Sequence, residues 1–119
     1  MVPPLSRQGV DEVRIFISGP YTMGDVAVNV RRAIDAAHAV REKGHAVFLP
    51  HLTHFWHLVH PRPWQDWMDL DREWLSLCHA ILRLNGESVG ADREVSEAMR
   101  MGLRLYRSVE EVPLFGERH

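Results

Sequence analysis

The chain has 119 residues, 45% hydrophobic and 25% charged, which fits one compact domain with a packed core and leaves little room for a second. Fourteen Lys and Arg stand against sixteen Asp and Glu, and with a formal charge of −2 and scattered arginines the chain lacks the basic surface that duplex nucleic acid needs. The single cysteine, Cys78, excludes an internal disulfide framework, and no apolar run is long enough to span a membrane, so a soluble cytoplasmic protein is expected.

Residues 1–12 carry two prolines, a glycine and few apolar side chains and read as a flexible tail, leaving 13–119 as a single domain. Residues 13–18 are β-branched and aromatic and run into Gly19-Pro20, which predicts a first strand closed by a turn. Asp25 is placed to cap a helix over 26–43, in which Val30, Ala33, Ile34, Ala37 and Val40 recur at helical spacing until Gly44. A second short strand is expected over 45–49. Strand, helix and strand in this order imply a parallel sheet.

His51, His54, His57 and His60 then recur at every third position, with Phe55 and Trp56 among them. On a helix that spacing walks around the cylinder, so at most two neighbours could share a metal, and no native metal centre is expected. Two readings stay open. The imidazoles and aromatics form a wall that stacks on and hydrogen-bonds to a flat heterocycle, or they are a partly exposed loop with a packed Phe55 and Trp56.

Pro63 opens a helix over 64–78 with Trp64, Trp67, Met68, Trp74, Leu75 and Cys78 as its apolar stripe, Cys78 reading as a core residue. Asp71 lies on that stripe, where the pattern calls for a hydrophobe. A carboxyl so placed loses water and tends to keep its proton, as a general acid must; the alternative is a rim residue paired with Arg62 or Arg72. Asp66, Asp69 and Glu73 fall off the stripe and read as solvated charges.

A third strand is expected over 79–85 and a last helix over 92–101, so the stretch from Ser88 to Ala98 is a strand-to-helix crossing. Ser88 offers a hydroxyl and Gly90 a place for close backbone approach, beside the unpaired N–H groups of a helix start. Glu94 is expected in the first turn, where the dipole favours the ionised form; this suits a nucleophile and equally an acid that merely stabilises the helix. Gly102 ends the helix, 103–106 reads as a fourth strand, and 112–115 as a possible edge strand. The whole is an α/β, three-layer flavodoxin- or Rossmann-like fold with a four- to five-stranded, mainly parallel sheet. The turn at 19–24 and the crossing at 88–94 then share one sheet edge, and with Asp71 above it two carboxylates of unequal environment can flank one small ligand, the parts of a glycosidic-bond mechanism.

Phe16-Ile-Ser-Gly-Pro-Tyr21, Asp71-Arg-Glu-Trp74-Leu75 and Ser88-Val-Gly90-Ala-Asp-Arg-Glu94 with Ala98 together resemble the nucleoside 2-deoxyribosyltransferase superfamily, with spacing nearest its 2′-deoxynucleoside 5′-monophosphate N-glycosidases and deoxyribosyltransferase-like small domains. The resemblance covers roughly residues 13–110. It implies an N-glycosidase or deoxyribosyltransferase acting on a small nucleoside or nucleotide through a covalent glycosyl-enzyme, without a cofactor. It implies Glu94 as nucleophile and Asp71 as proton donor to the departing base. Ser88 and Gly90 would contact a 5′-phosphate or 5′-hydroxyl, with Ser18, Gly19 and Tyr21 completing that pocket. On the heterocycle reading of the histidine run, which does not come from the resemblance, His51, His54 and Trp56 are available to the base. The resemblance further implies a homodimer or larger homo-oligomer. The chain departs from the family pattern at Phe16, where a tyrosine is usual, and at His79, where an aspartate is common. The rival to catalysis is a nucleotide-binding or sensor domain on the same fold.

Overall fold

The computed structural model describes residues 13–115; the tail expected over 1–12 lies outside them. Four strands, β1 (Arg14–Ser18), β2 (Ala46–Phe48), β3 (Ala80–Arg83) and β4 (Arg104–Tyr106), form one sheet in the order β2-β1-β3-β4. Every pairing is parallel, with Phe16 opposite both Phe48 and Ile81, and Ser18 opposite Arg83. Helices α1 (Val26–Glu42), α2 (Thr53–Val59), α3 (Trp64–Leu75) and α4 (Val89–Arg100) fill the connections, with a 3-10 turn at Pro50–Leu52. This is the flavodoxin-like arrangement that the strand and helix patterns predicted.

Both faces of the sheet are covered, as parallel sheets require, and the period-two alternation of each strand divides the core. Ile15, Ile17, Ala80 and Leu82 point to one face and pack with Ala33 and Val40 of α1, while Phe16 and Ile81 point to the other and pack with Leu75 of α3 and Ala98 of α4. Phe16 is fully buried and stacks on Phe48, which stacks in turn on Trp74. Phe16→Ala would remove the largest of these wedges at a cost of about 3–5 kcal/mol.

Local signals end the elements where they were read. Asp25 caps α1 by accepting from the Val28 amide at 3.1 Å, and Gly44 (φ +99°) and Gly102 (φ +83°) follow α1 and α4 in the left-handed region. Three readings are corrected. α3 ends at Leu75, three residues before the expected end at 78, because the Leu77 and Cys78 amides turn back to the Trp74 and Leu75 carbonyls and close the helix. α4 begins at Val89, three residues before the expected start, because Ser88 Oγ accepts from the Ala91 amide at 3.0 Å and supplies the cap. Residues 112–115 form no strand. They follow a 3-10 turn at Val109–Glu111 and are strapped to the bottom of the sheet by Lys43 Nζ, which donates to the carbonyls of Val109 (2.6 Å) and Val112 (2.7 Å), and by His45, which donates to the Pro113 carbonyl.

Candidate functional site

With β2 on one side of β1 and β3 on the other, the chain changes direction across the sheet between β1 and β3. Beyond the carboxyl ends of the strands at such a point, the connecting segments diverge and leave a crevice. A cleft of about 240 Å³ lies there, lined by Gly19, Tyr21 and Thr22 from the β1 loop, His51 from the turn after β2, Trp64, Trp67, Met68 and Asp71 from α3, and Ser88, Gly90 and Glu94 from the β3-to-α4 crossing.

The earlier start of α4 changes the character of Glu94. It lies in the second turn, beyond reach of the N-terminal dipole, on the inward face with Ala91 and Ala98, and is only 9% exposed. The expectation of an acid ionised by a helix start is therefore corrected: burial raises the Glu94 carboxyl, to about 8, against a lowering by the hydrogen bond from Ser18. Asp71 is 7% exposed, and burial raises it to about 7. Each carboxyl acts on the other, so the two titrate as a pair that holds about one proton near neutral pH.

Asp71 is not the rim residue of the alternative reading. Arg62 pairs with Asp66 (3.0 Å) and Arg72 with Asp69 (3.1 Å), while Asp71 Oδ1 is buried with no hydrogen-bond partner. Ser18 is fully buried, and its hydroxyl donates to Glu94 Oε1 at 2.7 Å, so its side chain positions a carboxylate and does not itself reach the cleft. Ser88 spends its hydroxyl on the helix cap. Gly90 is not required for close backbone approach, since an added Cβ would meet Met68 Sδ at 3.6 Å and Trp64 at 3.8 Å, ordinary contacts; its lack of a side chain keeps the cleft wall open. At Gly19 the need is steric, a Cβ there lying 3.0 Å from Leu84 Cβ.

The histidine run is divided by the fold. His51 enters the cleft wall, with Nε2 donating to the Pro20 carbonyl at 3.0 Å. His54 lies behind it, its Nδ1 hydrogen-bonded to the Tyr21 hydroxyl at 2.7 Å, so it reaches the cleft only through Tyr21. His57 Nδ1 accepts from Trp67 Nε1 at 2.9 Å. Trp56 does not line the cleft; it is 50% exposed and meets Trp67 edge to face, with ring centroids 5.0 Å apart. Among the described residues, no three His, Cys, Asp or Glu side chains gather in a metal-binding arrangement.

Sequence reasoning missed two supports of the site. Asn29 Nδ2 donates to the carbonyls of Tyr21 (3.0 Å) and Met23 (2.8 Å), pinning the β1 loop to α1. Arg83, buried at the end of β3, pairs with Asp92 at 2.9 Å and donates to the carbonyls of Leu84 and Gly86, bracing the crossing that carries Glu94; its charge also lowers the Glu94 carboxyl. An arginine inside an otherwise apolar strand was the available signal.

The fold is that of the deoxyribosyltransferases: the 2-deoxyribosyltransferase of the psychrotolerant bacterium Bacillus psychrosaccharolyticus superposes with a TM-score of 0.60 over 77% of this chain and 69% of that one, at 16% identity. The likeness at that identity is one of fold. The chain itself belongs to a family of domains of unknown function, DUF4406, whose model matches residues 13–107. Among curated proteins there is no sequence match. No helix among the described residues is long and apolar enough to cross a membrane.

Proposed function

We propose that this protein cleaves the N-glycosidic bond of a nucleoside or nucleotide, with Glu94 as nucleophile and Asp71 as general acid. The observation that carries the reading is the pair itself: two buried, mutually coupled carboxyls at the floor of a cleft at the sheet's switch point, one of them held by Ser18. The likeness in fold to an enzyme named for 2-deoxyribosyl transfer supports it.

The chemistry needs one bare carboxylate and one protonated carboxyl together, and a coupled pair holding one proton supplies both. The Ser18 hydroxyl and the Arg83 charge lower the Glu94 carboxyl, but burial outweighs them and leaves it at about 8, above Asp71 at about 7, so the reading requires the proton to pass from Glu94 to Asp71 as substrate binds. Glu94 attacks the anomeric carbon, the C–N bond breaks, and the Asp71 proton passes to the departing base. Asp71 then takes a proton from water or from an incoming base as that acceptor displaces Glu94 from the sugar. Water gives hydrolysis and a second base gives transfer.

Release of free base from ribo- and deoxyribonucleosides and their 5′-monophosphates, followed by chromatography with and without a second base, tests this. Wild type should release base from at least one member, and Glu94→Gln should lower the rate by about 10³-fold or more while binding persists. No release from any member would move the protein to the class of nucleotide-binding modules.

A further inference from the structure

Among the described residues, two buried side-chain polar atoms have no hydrogen-bond partner, Asp71 Oδ1 and His51 Nδ1, and both residues line the same cleft. A buried acceptor without a donor is a cost that folding does not recover, and native proteins keep few of them without a use. The proposed chemistry uses Asp71. It leaves His51 unexplained.

The protonation of His51 is dictated by its neighbour. The Pro20 carbonyl can only accept, so Nε2 at 3.0 Å carries the proton and Nδ1 presents a lone pair. Burial opposes a second proton and outweighs the carbonyls of Pro20 and Gly19 beside the ring, which keeps the ring in that form. The imidazole is 6% exposed and set edge to face against Tyr21, with ring centroids 6.3 Å apart, so it cannot turn over freely to offer a donor instead.

The topology says which part of a nucleoside meets it. Glu94, Ser88 and Gly90 follow β3, on one side of β1, whereas His51 follows β2 on the other. With Glu94 at the anomeric carbon, the sugar occupies the β3 side, and the base extends toward the β2 side, where Tyr21, Trp67 and His51 supply flat walls. We infer that His51 Nδ1 accepts a hydrogen bond from an exocyclic amine of the base, so that the cleft selects 6-aminopurines and 4-aminopyrimidines over their keto counterparts. A keto oxygen at that place would set acceptor against acceptor, and the tie of Nε2 to Pro20 blocks relief by a change of tautomer. Nδ1 is sealed from water, so contact requires the cleft wall around His51 to give way slightly as the base enters.

This inference rests on the N-glycosidase reading, and the two can fail separately. The test is calorimetric titration of the Glu94→Gln protein, silenced for turnover, with 2′-deoxyadenosine, 2′-deoxyinosine, 2′-deoxycytidine and 2′-deoxyuridine. In whichever pair binds, the amino member should bind about tenfold or more tightly than the keto member. Adding His51→Phe, which keeps a flat ring without the acceptor, should bring the two within about twofold. Equal binding, or a keto preference, overturns the assignment of His51 and leaves the glycosidase reading standing if wild type releases base. A uniform loss across all four ligands in the His51→Phe background assigns the acceptor to the sugar and also overturns it. Failure of every ligand to bind, as nucleoside and as 5′-monophosphate, overturns both. The amino-against-keto comparison requires no change at His51, so it decides the matter even if that variant misfolds.

Discussion

His45 and His51 are both buried histidines placed next to β2, one at each end, and the fold treats them in opposite ways. His45, fully buried at the amino end, has both ring nitrogens engaged: Nδ1 accepts from the Val13 amide at 3.3 Å and Nε2 donates to the Pro113 carbonyl. Its surroundings repeat the pattern, with His79 Nδ1 accepting from the Arg14 amide at 2.9 Å and Lys43 donating to two carbonyls. His51, beyond the carboxyl end, has one nitrogen engaged and one left open, near a carboxylate that is also short of a partner. The amino edge is saturated, so its polar groups hold the chain together. The carboxyl edge keeps polar capacity in reserve, which lowers stability and leaves something for a ligand to satisfy.

If that contrast is right, damage at the two edges should separate cleanly. The largest stability effect belongs to the amino edge: His45→Ala orphans an amide and a carbonyl and leaves a cavity, at a cost of about 3 kcal/mol. In a domain of this size that is a fall in Tm of roughly 10 °C, read by calorimetry. Base release per folded molecule should stay near the wild-type value, and a large loss in folded protein would erase the distinction between the edges.

At the carboxyl edge the sign reverses. Asp71 and Glu94 titrate at about 7 and about 8 in the folded chain, against ordinary values of 3.8 and 4.5. The folded state therefore binds these protons more tightly than the unfolded one. The resulting stabilisation is complete below about pH 4 and is lost as pH rises through the folded values. Asp71→Asn and Glu94→Gln, which carry no charge to lose, should each stabilise the protein by on the order of 2 kcal/mol at pH 8, with the gain fading toward pH 4. Melting curves across that range check it, and variants less stable than wild type at pH 8 would count against a strained pair.

The smallest effect sharpens the comparison at a single methyl group. Gly90→Ala adds a side chain that meets only ordinary contacts, within a helix where alanine is favoured by up to about 1 kcal/mol. Melting temperature should hold or rise slightly. Nucleoside affinity should fall, because the methyl group projects toward Trp64 and Met68 on the cleft wall; unchanged affinity would remove Gly90 from the site.

Much of this was legible in the chain. Asp71 broke the apolar stripe of α3, and it is buried where that break placed it. Asp25, Gly44 and Gly102 marked ends that the helices observe. Glu94 was found by its motif but placed in the wrong environment, because the Ser88 cap winds α4 from Val89 and carries the carboxyl from the helix start into the interior. The histidine run looked like one feature because sequence spacing cannot show that a 3-10 turn precedes α2 and sends His51 one way and His54 another. Asn29 was invisible as a support, since the loop it holds precedes its helix, and Arg83 showed only as a charge inside an apolar strand, without the carbonyls and carboxylate it braces.

What the sequence determined by itself was every property set by neighbours along the chain: the strands by two-residue alternation, the helices by their stripes and caps, the turns by glycine, and the misfit of one acid on an apolar face. Tertiary structure alone decided that Asp71 and Glu94 are buried on one cleft, that Ser18 leans on Glu94, and that one histidine nitrogen is left open in the same wall. Protonation, burial and hydrogen bonding depend on distances between groups far apart in the chain, and those distances exist only once the sheet has set β2, β1 and β3 side by side.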